Sequence, residues 1–342
     1  MYMNERMRRI VPTVWLRNDQ EFYNLVSLFK DYGIEELRVN CTRHDINLYI
    51  QEITKFNTWC VEKLKYTFKI ILDIPVPNKK TRIFYKSDGK GKYINKNEIF
   101  NIFFAPQGEM IPGNNLYIFD YALLKKLNVN DHLYVGDMGL ELVVISIKGN
   151  MVVSKCVCEG ELGYGKYVLT DKIKYQSCCI DEIEPYIEMC NILEPEMVAF
   201  SFVNDKHDIQ NIITRNEWMC KAKLIAKIET EEGYDNLQDI ISMCKFVMVA
   251  RGDLLNNVGQ EKFAKYACDI VEYCEKKHID NYVATGILNS VKDMKNTVNR
   301  AELLDAYTLL KKEYSKIILT HGVCKDLEVA NQILSLINKI EI

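Results

Sequence analysis

Short runs of apolar residues recur along the chain, and stretches with helical spacing separate them. Eight of the runs are rich in Ile, Val and Leu, which is typical of parallel strands that are buried on both faces. They are Ile10–Leu16, Glu36–Cys41, Lys69–Ile74, Met197–Phe202, Lys223–Glu229, Phe246–Arg251, Tyr282–Leu288 and Lys316–Thr320. Between them, apolar residues return every three or four positions, as on the buried stripe of a helix. Eight strands that alternate with helices predict an α/β fold, the (β/α)8 TIM barrel.

The first helical stretch illustrates the second pattern. Its apolar stripe consists of Phe22, Leu25, Val26 and Phe29. Asn18 precedes Glu21 by the spacing of a capping box, and it therefore predicts where this helix begins.

The alternation is interrupted once, between about Ile83 and Thr170. This segment is first rich in Gly, Asn and Lys and then contains strand-like runs, with Lys148-Gly149-Asn150 as a hairpin turn. We therefore predict two domains, a TIM barrel of residues 1–83 and 170–342 and a β-rich, barrel-like domain of residues 84–169. The insertion follows the third strand, on the face where barrels keep their active sites, so it is predicted to act as a lid (B) domain.

The composition narrows the class of protein. The 342 residues are 48% hydrophobic and 27% charged, and 44 basic against 47 acidic side chains leave a net charge of −3. These values exclude a disordered or collagen-like chain, and the near-neutral balance argues against nucleic acid as the main partner. No run approaches the roughly 18 apolar residues of a membrane helix, and Met1–Ile10 lacks the apolar core of a secretory signal. We therefore expect a cytoplasmic protein that binds neither a membrane nor nucleic acid.

Cysteine is abundant, with 12 residues, but no Cys-x-x-Cys pair occurs. The missing spacing argues against a zinc site. We expect reduced, mostly buried thiols, with Cys156 and Cys158 packing one face of a strand.

Charged residues lie in or at the ends of three predicted strands. Lys227 and Glu229 are two positions apart on one strand and so share a face, and Arg38 and Asn40 do the same on another. Asp253 follows the sixth strand directly after Gly252. Each group taken alone is explained by a buried salt bridge, but all three at strand ends, together with Thr285, favour a site. Two carboxylates suit a divalent metal ion, and the cations suit an anionic substrate.

The segment Leu224–Leu254, which spans the fifth and sixth strands, resembles the pyruvate kinase family. Further matches follow in the family's order over essentially the whole chain: Arg38–Thr42, Ile71–Asp73, Cys158–Leu169, Ser201–Val203, Val283–Leu288 and Asn299–Ala306. The resemblance implies a TIM barrel with an inserted B domain and a glycolytic type of reaction, phosphoryl transfer between phosphoenolpyruvate and ADP, with pyruvate and ATP as products.

The resemblance also implies roles for individual residues. Lys227 would stabilise the transferring phosphoryl group, Thr285 would help to protonate the enolate, and Arg38 would contact the phosphate. Backbone amides near Gly252 and Asp253 would receive the substrate carboxylate.

Ions and nucleotide are implied in the same way. Glu229 and Asp253 would hold Mg²⁺ (or Mn²⁺), and the ligands of K⁺ would be Asn40, Thr42 and Asp73. Lys80 and Lys166 would contact the nucleotide, ADP or ATP.

Departures from the family pattern concentrate on the nucleotide half of the site. Pro75–Lys80 replaces the family's Lys-Gly-Pro-Glu-Ile-Arg, so the nucleotide arginine becomes at best Lys80, which lacks the planar fork. Asn204 stands where the family has arginine, and Thr320-His321-Gly322 ends the eighth strand in place of Ser-Gly-Glu-Thr. His321 is open to interpretation as a site residue or a rim residue.

Three functions therefore stay open at this point. The first is a kinase that uses phosphoenolpyruvate and ADP, and the second is a diverged enzyme with another phosphoryl acceptor or with lyase chemistry on a 2-oxo acid. The third, less favoured, is a non-catalytic binding protein. The family's C-terminal domain is absent, so we expect a monomer or homodimer without sugar-phosphate regulation, with Tyr307 and Leu309 exposed for a dimer contact.

Overall fold

Eight parallel strands close into a barrel in one of the two units into which the chain divides. The computed structural model describes residues 2–41, 45–75, 81–85, 92–104, 115–118, 121–136, 140–162, 166–170, 180–214, 222–292 and 297–342. The first unit combines Met1–Val76 with Ser177–Ile342, and the second is Pro77–Gln176. The domain boundaries at 83/84 and 169/170 stay predictions.

The barrel strands agree closely with the eight predicted runs. They are β1 (Ile10–Val14), β2 (Glu36–Asn40), β3 (Lys69–Ile74), β13 (Met197–Phe200), β14 (Lys223–Ile228), β15 (Phe246–Ala250), β16 (Asn281–Ala284) and β17 (Ser315–Leu319). They close in the order β1-β17-β16-β15-β14-β13-β3-β2, and every neighbouring pair is parallel. The predicted TIM barrel is confirmed.

Helices follow the strands and cover the outside of the barrel. In this unit they are α1 (Tyr2–Met7), α2 (Gln20–Asp31), α3 (Ile46–Trp59), α5 (Ile180–Leu193), α6 (Lys206–Thr214), α7 (Glu231–Asp235), α8 (Leu237–Met243), α9 (Arg251–Lys277), α10 (Arg300–Leu310), α11 (His321–Cys324) and α12 (Leu327–Lys339). A π-helical turn, Cys60–Leu64, continues α3, and a 3-10 turn, Asn289–Lys292, precedes α10. No helix of the described part of the chain is long and apolar enough to cross a lipid bilayer.

Two details of these helices correct the sequence predictions. Asp19, not Asn18, caps α2, because its extended backbone lets its side chain accept a hydrogen bond from the Phe22 amide at 2.8 Å. On α10, Leu309 is only 6% exposed because it lies on the inner stripe of the helix, so the prediction that Leu309 is exposed is wrong. The exposed leucines of this helix are Leu303 and Leu304.

The second unit is a smaller β-structure. Its strands are β4 (Arg82–Phe84), β5 (Lys92–Ile94), β6 (Ile99–Phe104), β7 (Asn115–Ile118), β8 (His132–Val135), β9 (Leu140–Lys148), β10 (Met151–Cys158), β11 (Gly160–Leu162) and β12 (Lys166–Leu169), with one short helix, α4 (Tyr121–Leu124). Seven of them close in the order β10-β6-β7-β4-β12-β8-β9 around their own apolar core. The predicted hairpin is present between β9 and β10, where Gly149 has the positive φ of 59° that such a turn requires. This unit follows β3, so the predicted β-rich insertion is confirmed.

Nine described cysteines are free thiols, seven of them buried. Cys156 is buried, but Cys158 is exposed, because the pairing of β10 with β9 shifts register between these two residues. The prediction that both pack the same face is therefore wrong.

Alternation along the strands divides the barrel residues into two sets. One set packs against the helices, and the other forms a separate cluster inside the barrel: Val11, Ile71, Met197, Ala199, Ile225, Met248, Tyr282, Ala284 and Ile318. Below this cluster, at the N-terminal ends of the strands, Lys316 pairs with Glu36 at 2.7 Å and Tyr282 donates to the same carboxylate at 3.1 Å. Above it, the same inward positions carry the polar residues of the candidate site, because side chains two apart on a strand share a face.

Candidate active site

Lys227 lies at the centre of a polar cluster at the C-terminal ends of the barrel strands. It is near the end of β14 and only 7% exposed. Its Nζ donates to Ser201 Oγ at 2.7 Å and to Asp73 Oδ1 at 3.1 Å, and it forms an ion pair with Glu229 Oε1 at 3.3 Å. An ammonium group has three N–H donors, and two of them are used in the hydrogen bonds to Ser201 and Asp73.

Asp73 joins this lysine to a second cation. Arg38 on β2 reaches Asp73 Oδ2 with both Nε, at 2.7 Å, and Nη2, at 2.6 Å. The remaining Nη1 donates to Thr13 Oγ1 on β1 at 3.0 Å. A single carboxylate therefore holds both predicted substrate-binding cations, one on each of its oxygen atoms.

The pKa values of this pair are shifted toward the charged forms. Burial by itself would raise the pKa of Asp73, but the charges and hydrogen bonds of Lys227 and Arg38 outweigh burial and lower it. Burial would likewise lower the pKa of Lys227, but Asp73 and Glu229 outweigh it and raise that pKa. At neutral pH Asp73 and Lys227 are therefore both charged although both are buried.

Glu229 is fully buried directly after β14. Its Oε2 accepts a 2.6 Å hydrogen bond from the backbone amide of Phe202, in the turn that follows β13. Asn257 on α9 donates from Nδ2 to the carbonyl oxygens of Glu229, at 2.9 Å, and Asp253, at 2.8 Å. The two carboxylate residues are thus tied together through their backbones, and the charge of Asp253 also contributes to the raised pKa of Lys227.

The first turn of α9 packs closely against the end of β16. A Cβ atom at Gly252 would lie 3.3 Å from Cγ2 and 3.5 Å from Oγ1 of Thr285, so glycine permits this approach. Arg251 donates from Nε and Nη2 to the Thr285 carbonyl, at 3.0 and 2.6 Å, and its Nη2 pairs with Asp305 at 2.8 Å. Thr285 therefore lies beside the amide-rich start of a helix.

This geometry can be compared with known proteins. A family model described as pyruvate kinase, barrel domain, matches residues 6–310. The chain belongs to the pyruvate kinase family. The pyruvate kinase of Thermotoga maritima is 26% identical over 322 residues, which are 92% of this chain and 66% of that protein. Those of Borreliella burgdorferi and Clostridium perfringens are each 24% identical, over 270 and 288 residues. The chain spans 56% to 66% of the length of these three relatives.

Within this pyruvate kinase barrel, the donors predicted for Mg²⁺ fit that ion. Mg²⁺ is usually bound by one or two protein carboxylates together with substrate oxygens. Glu229 and Asp253 supply two carboxylates, and no group of three or more His, Cys, Asp or Glu side chains suited to a metal occurs in the described ranges.

The K⁺ ligands predicted from the resemblance are only partly described. Asn40 Oδ1 is buried, and no hydrogen-bond partner for it is found among the described residues, so a cation there would satisfy it. Asp73 lies on the adjacent strand, paired directly with Asn40. Thr42 lies outside the described residues. The two described donors therefore fit a monovalent cation.

The residues predicted to contact nucleotide belong to the second unit. Lys80 lies outside the described residues. Lys166 is the first residue of β12. Its side chain packs beside Gly136, where a Cβ atom would lie 3.5 Å from Lys166 Cδ. Both nucleotide assignments stay predictions.

Several residues of the cluster were missed by sequence reasoning. Ser201 and Phe202 belong to a matched stretch, but their contacts with Lys227 and Glu229 have no signature in the sequence. Asn257 and Asp305 lie inside ordinary helical patterns. His321 stacks on Trp15 with ring centroids 3.5 Å apart, so the rims of β17 and β1 carry an aromatic pair.

Thr285 leads to a prediction about stored strain. Its φ of 77° is in the left-handed region, which is costly for a β-branched residue. Releasing strain of about 1–3 kcal/mol, less the entropy cost of glycine of about 0.5–1 kcal/mol, should make Thr285→Gly more stable by about 1 kcal/mol. Denaturant unfolding of the parent and the variant measures this difference.

The matched control is Asn130→Gly, at an exposed position with a φ of 72° in the second unit. Asparagine tolerates this conformation, so a smaller gain in stability is expected. A Thr285→Gly variant that is less stable than the parent would contradict the assignment of strain.

Proposed function

We propose that this protein is a phosphotransferase that moves the phosphoryl group of phosphoenolpyruvate to ADP, with Mg²⁺ and K⁺ as cofactors. The observation that carries the proposal is the cluster in which Asp73 holds Lys227 and Arg38 at the C-terminal ends of the strands. Phosphoryl transfer depends chiefly on positioning and on neutralising the charge of the transferred group. Two cations fixed by one carboxylate supply both.

Each step of the reaction has candidate residues in this arrangement. Arg38 would bind the phosphate, and Lys227 would neutralise charge as the P–O bond of phosphoenolpyruvate breaks and the bond to the ADP oxygen forms. The first turn of α9, at Gly252 and Asp253, offers backbone N–H groups to the substrate carboxylate. Thr285, beside that turn, would assist protonation of the enolate at C3. Mg²⁺ at Glu229 and Asp253 would supply further charge neutralisation when bound.

A second candidate function rests on the Trp15–His321 pair. These rings occupy the β17 and β1 side of the rim, whereas the charged cluster lies at the ends of β2, β3 and β14. Asn204, which replaces an arginine, is 2% exposed, and its Oδ1 accepts a hydrogen bond from the Thr230 hydroxyl, so a neutral amide stands where the family has a cation. These features favour the same enolate chemistry with an acceptor other than ADP.

One assay separates the two candidates. Phosphoenolpyruvate, Mg²⁺ and K⁺ are supplied with ADP or with a panel of other nucleoside diphosphates and hydroxyl compounds, and pyruvate, ATP, inorganic phosphate and any other phosphorylated acceptor are measured separately. Equal amounts of pyruvate and ATP support the kinase, and equal amounts of pyruvate and another phosphorylated acceptor, without ATP, support the second candidate. Absence of both products under all conditions, together with no binding of phosphoenolpyruvate by calorimetry, would overturn both.

The carboxylates lead to a prediction about the metal ion. Glu229→Gln and Asp253→Asn should each raise the Mg²⁺ concentration for half-maximal activity by more than about tenfold, because a neutral amide is a weaker ligand for this hard cation. Binding of Mn²⁺ measured by its electron paramagnetic resonance signal gives a readout that does not need turnover. Glu231→Gln is the control, since Glu231 pairs with Lys262 on the surface. Unchanged metal dependence in both variants would make the carboxylates structural.

A further inference from the structure

Ser201 is a buried hydroxyl that touches the candidate catalytic lysine and has no role in the reaction outlined above. It directly follows β13 and is 6% exposed. Its Oγ donates to the carbonyl of Ile74, the last residue of β3, at 3.1 Å and accepts from Lys227 Nζ at 2.7 Å. The hydroxyl therefore links the ends of two strands to the ammonium group.

The direction of these two hydrogen bonds is determined by the chemistry of a hydroxyl group. A serine has one proton to donate, and Ile74 accepts it. Only the lone pairs of the Ser201 oxygen then remain, and they accept the hydrogen bond from Lys227. Because the carbonyl belongs to a barrel strand, the acceptor that Lys227 meets is held in a fixed orientation.

Ser201 also differs in charge from the other two oxygen neighbours of Lys227. Asp73 and Glu229 are carboxylates, whose negative charges offset the charge of the ammonium group. The neutral hydroxyl lies closer, at 2.7 Å against 3.1 and 3.3 Å, and constrains direction without adding negative charge.

The backbone around Ser201 is anchored to the same site. The amide of Phe202 donates to Glu229 at 2.6 Å, and the amide of Val203 donates to the carbonyl of Lys227 at 3.3 Å. Three consecutive residues thus bind β3, the Glu229 carboxylate and β14. The turn is a rigid support, which an orienting group requires.

We propose that Ser201 is a positioning residue for Lys227, which aims the ammonium group at the transferring phosphoryl group and leaves its charge available. The proposal rests on the proposed function, because it names the residue through which that site orients its lysine. Arg38 is oriented in a similar way by Thr13, a second neutral hydroxyl.

The test compares Ser201→Ala with the parent enzyme. A misaimed ammonium group should lower kcat by about 10–100-fold and change the KM for phosphoenolpyruvate little, because the lost contact matters most in the transition state. Ser201→Thr keeps the hydroxyl and should restore most of kcat.

Ser154→Ala is the matched control. Ser154 is a fully buried serine of β10, and its hydroxyl has no hydrogen-bond partner among the residues that the structure describes. This variant should leave both kcat and KM unchanged. Equal losses of kcat in Ser201→Ala and Ser201→Thr would overturn the proposal, because they would reflect packing and not the hydroxyl.

A second measurement keeps this test separate from the proposed function. Crystal structures of the parent, Ser201→Ala and Ser154→Ala show the position of Lys227 Nζ without any turnover. We expect Nζ to move away from the end of β13 in Ser201→Ala and to keep its position in Ser154→Ala. An unmoved ammonium group overturns the positioning role, whereas a moved one in a protein without phosphotransferase activity overturns only the proposed function. Should Ser201→Ala unfold, Ser201→Cys offers a weaker acceptor and should show a displacement of the same kind.

Discussion

Lys227→Met should lower phosphoryl transfer by at least about 10²–10³-fold, because it removes a preorganised cation from the place where charge develops. It should also lower the free energy of unfolding by about 3–5 kcal/mol, since Glu229 and Asp73 stay buried after their shared cation is gone. Activity is measured well below the melting temperature of the variant, and stability by denaturant unfolding. Near-full activity would remove Lys227 from the mechanism.

Lys223→Met is the control for this variant, because it makes the same change on the same strand. Lys223 pairs with Glu196 at 2.6 Å, but both side chains are about 40% exposed. Exposed ion pairs contribute roughly 0–1 kcal/mol, so this variant should stay active and lose little stability. The difference between the two variants measures what the buried cluster contributes to activity and to the free energy of unfolding.

Asp73→Asn should lower activity and stability by similar amounts, because it removes the counterion instead of the cation. An amide in place of the carboxylate leaves Lys227 and Arg38 close together without their shared counterion. We expect a loss of about 3–5 kcal/mol of unfolding free energy and at least about 10²-fold slower transfer, because both cations lose their orientation. Asp239→Asn is the control, since Asp239 is 63% exposed and lies 3.6 Å from Lys206.

The same carboxylate predicts a pH dependence of stability. The pKa of Asp73 is lowered on folding, so its contribution is complete above the ordinary value of 3.8 and is lost as pH falls through the lower pKa of the folded state. The pKa of Lys227 is raised, so its contribution is complete below the ordinary value of 10.5 and is lost as pH rises through the higher folded value. The free energy of unfolding, measured from pH 2 to 7, should change less with pH for Asp73→Asn than for the parent. Identical slopes would mean that Asp73 is not ionised in the folded protein.

The elements that the sequence predicted best are those that depend on local periodicity. All eight barrel strands were predicted to within a few residues, because continuous apolar runs bounded by polar residues leave few other structures possible. The start of α2 shows the limit of this reasoning. Asn18 and Asp19 are both good caps by residue type, and the backbone conformation decided in favour of Asp19.

The candidate site was predicted in part for the same reason. Lys227 and Glu229 share a face because strand side chains alternate, and this holds wherever the strand lies in the fold. Their partners cannot be found by spacing. Asp73 is 154 positions from Lys227, and Ser201 is 127 positions from the carbonyl of Ile74 that orients it.

The sequence by itself determined the alternation of strands and helices, the place of the β-rich insertion and the residue types at the strand ends, since these follow from periods of two and 3.6 residues. Only the tertiary structure decided that one carboxylate, Asp73, serves two cations, and that a neutral hydroxyl completes the set of acceptors around Lys227. Closing the barrel is what brings β2, β3, β13 and β14 side by side. The charges of their side chains then act over a few ångströms in a site shielded from water. The pKa shifts of Asp73 and Lys227 and the direction of the Ser201 hydrogen bonds arise there, and no single stretch of the chain determines them.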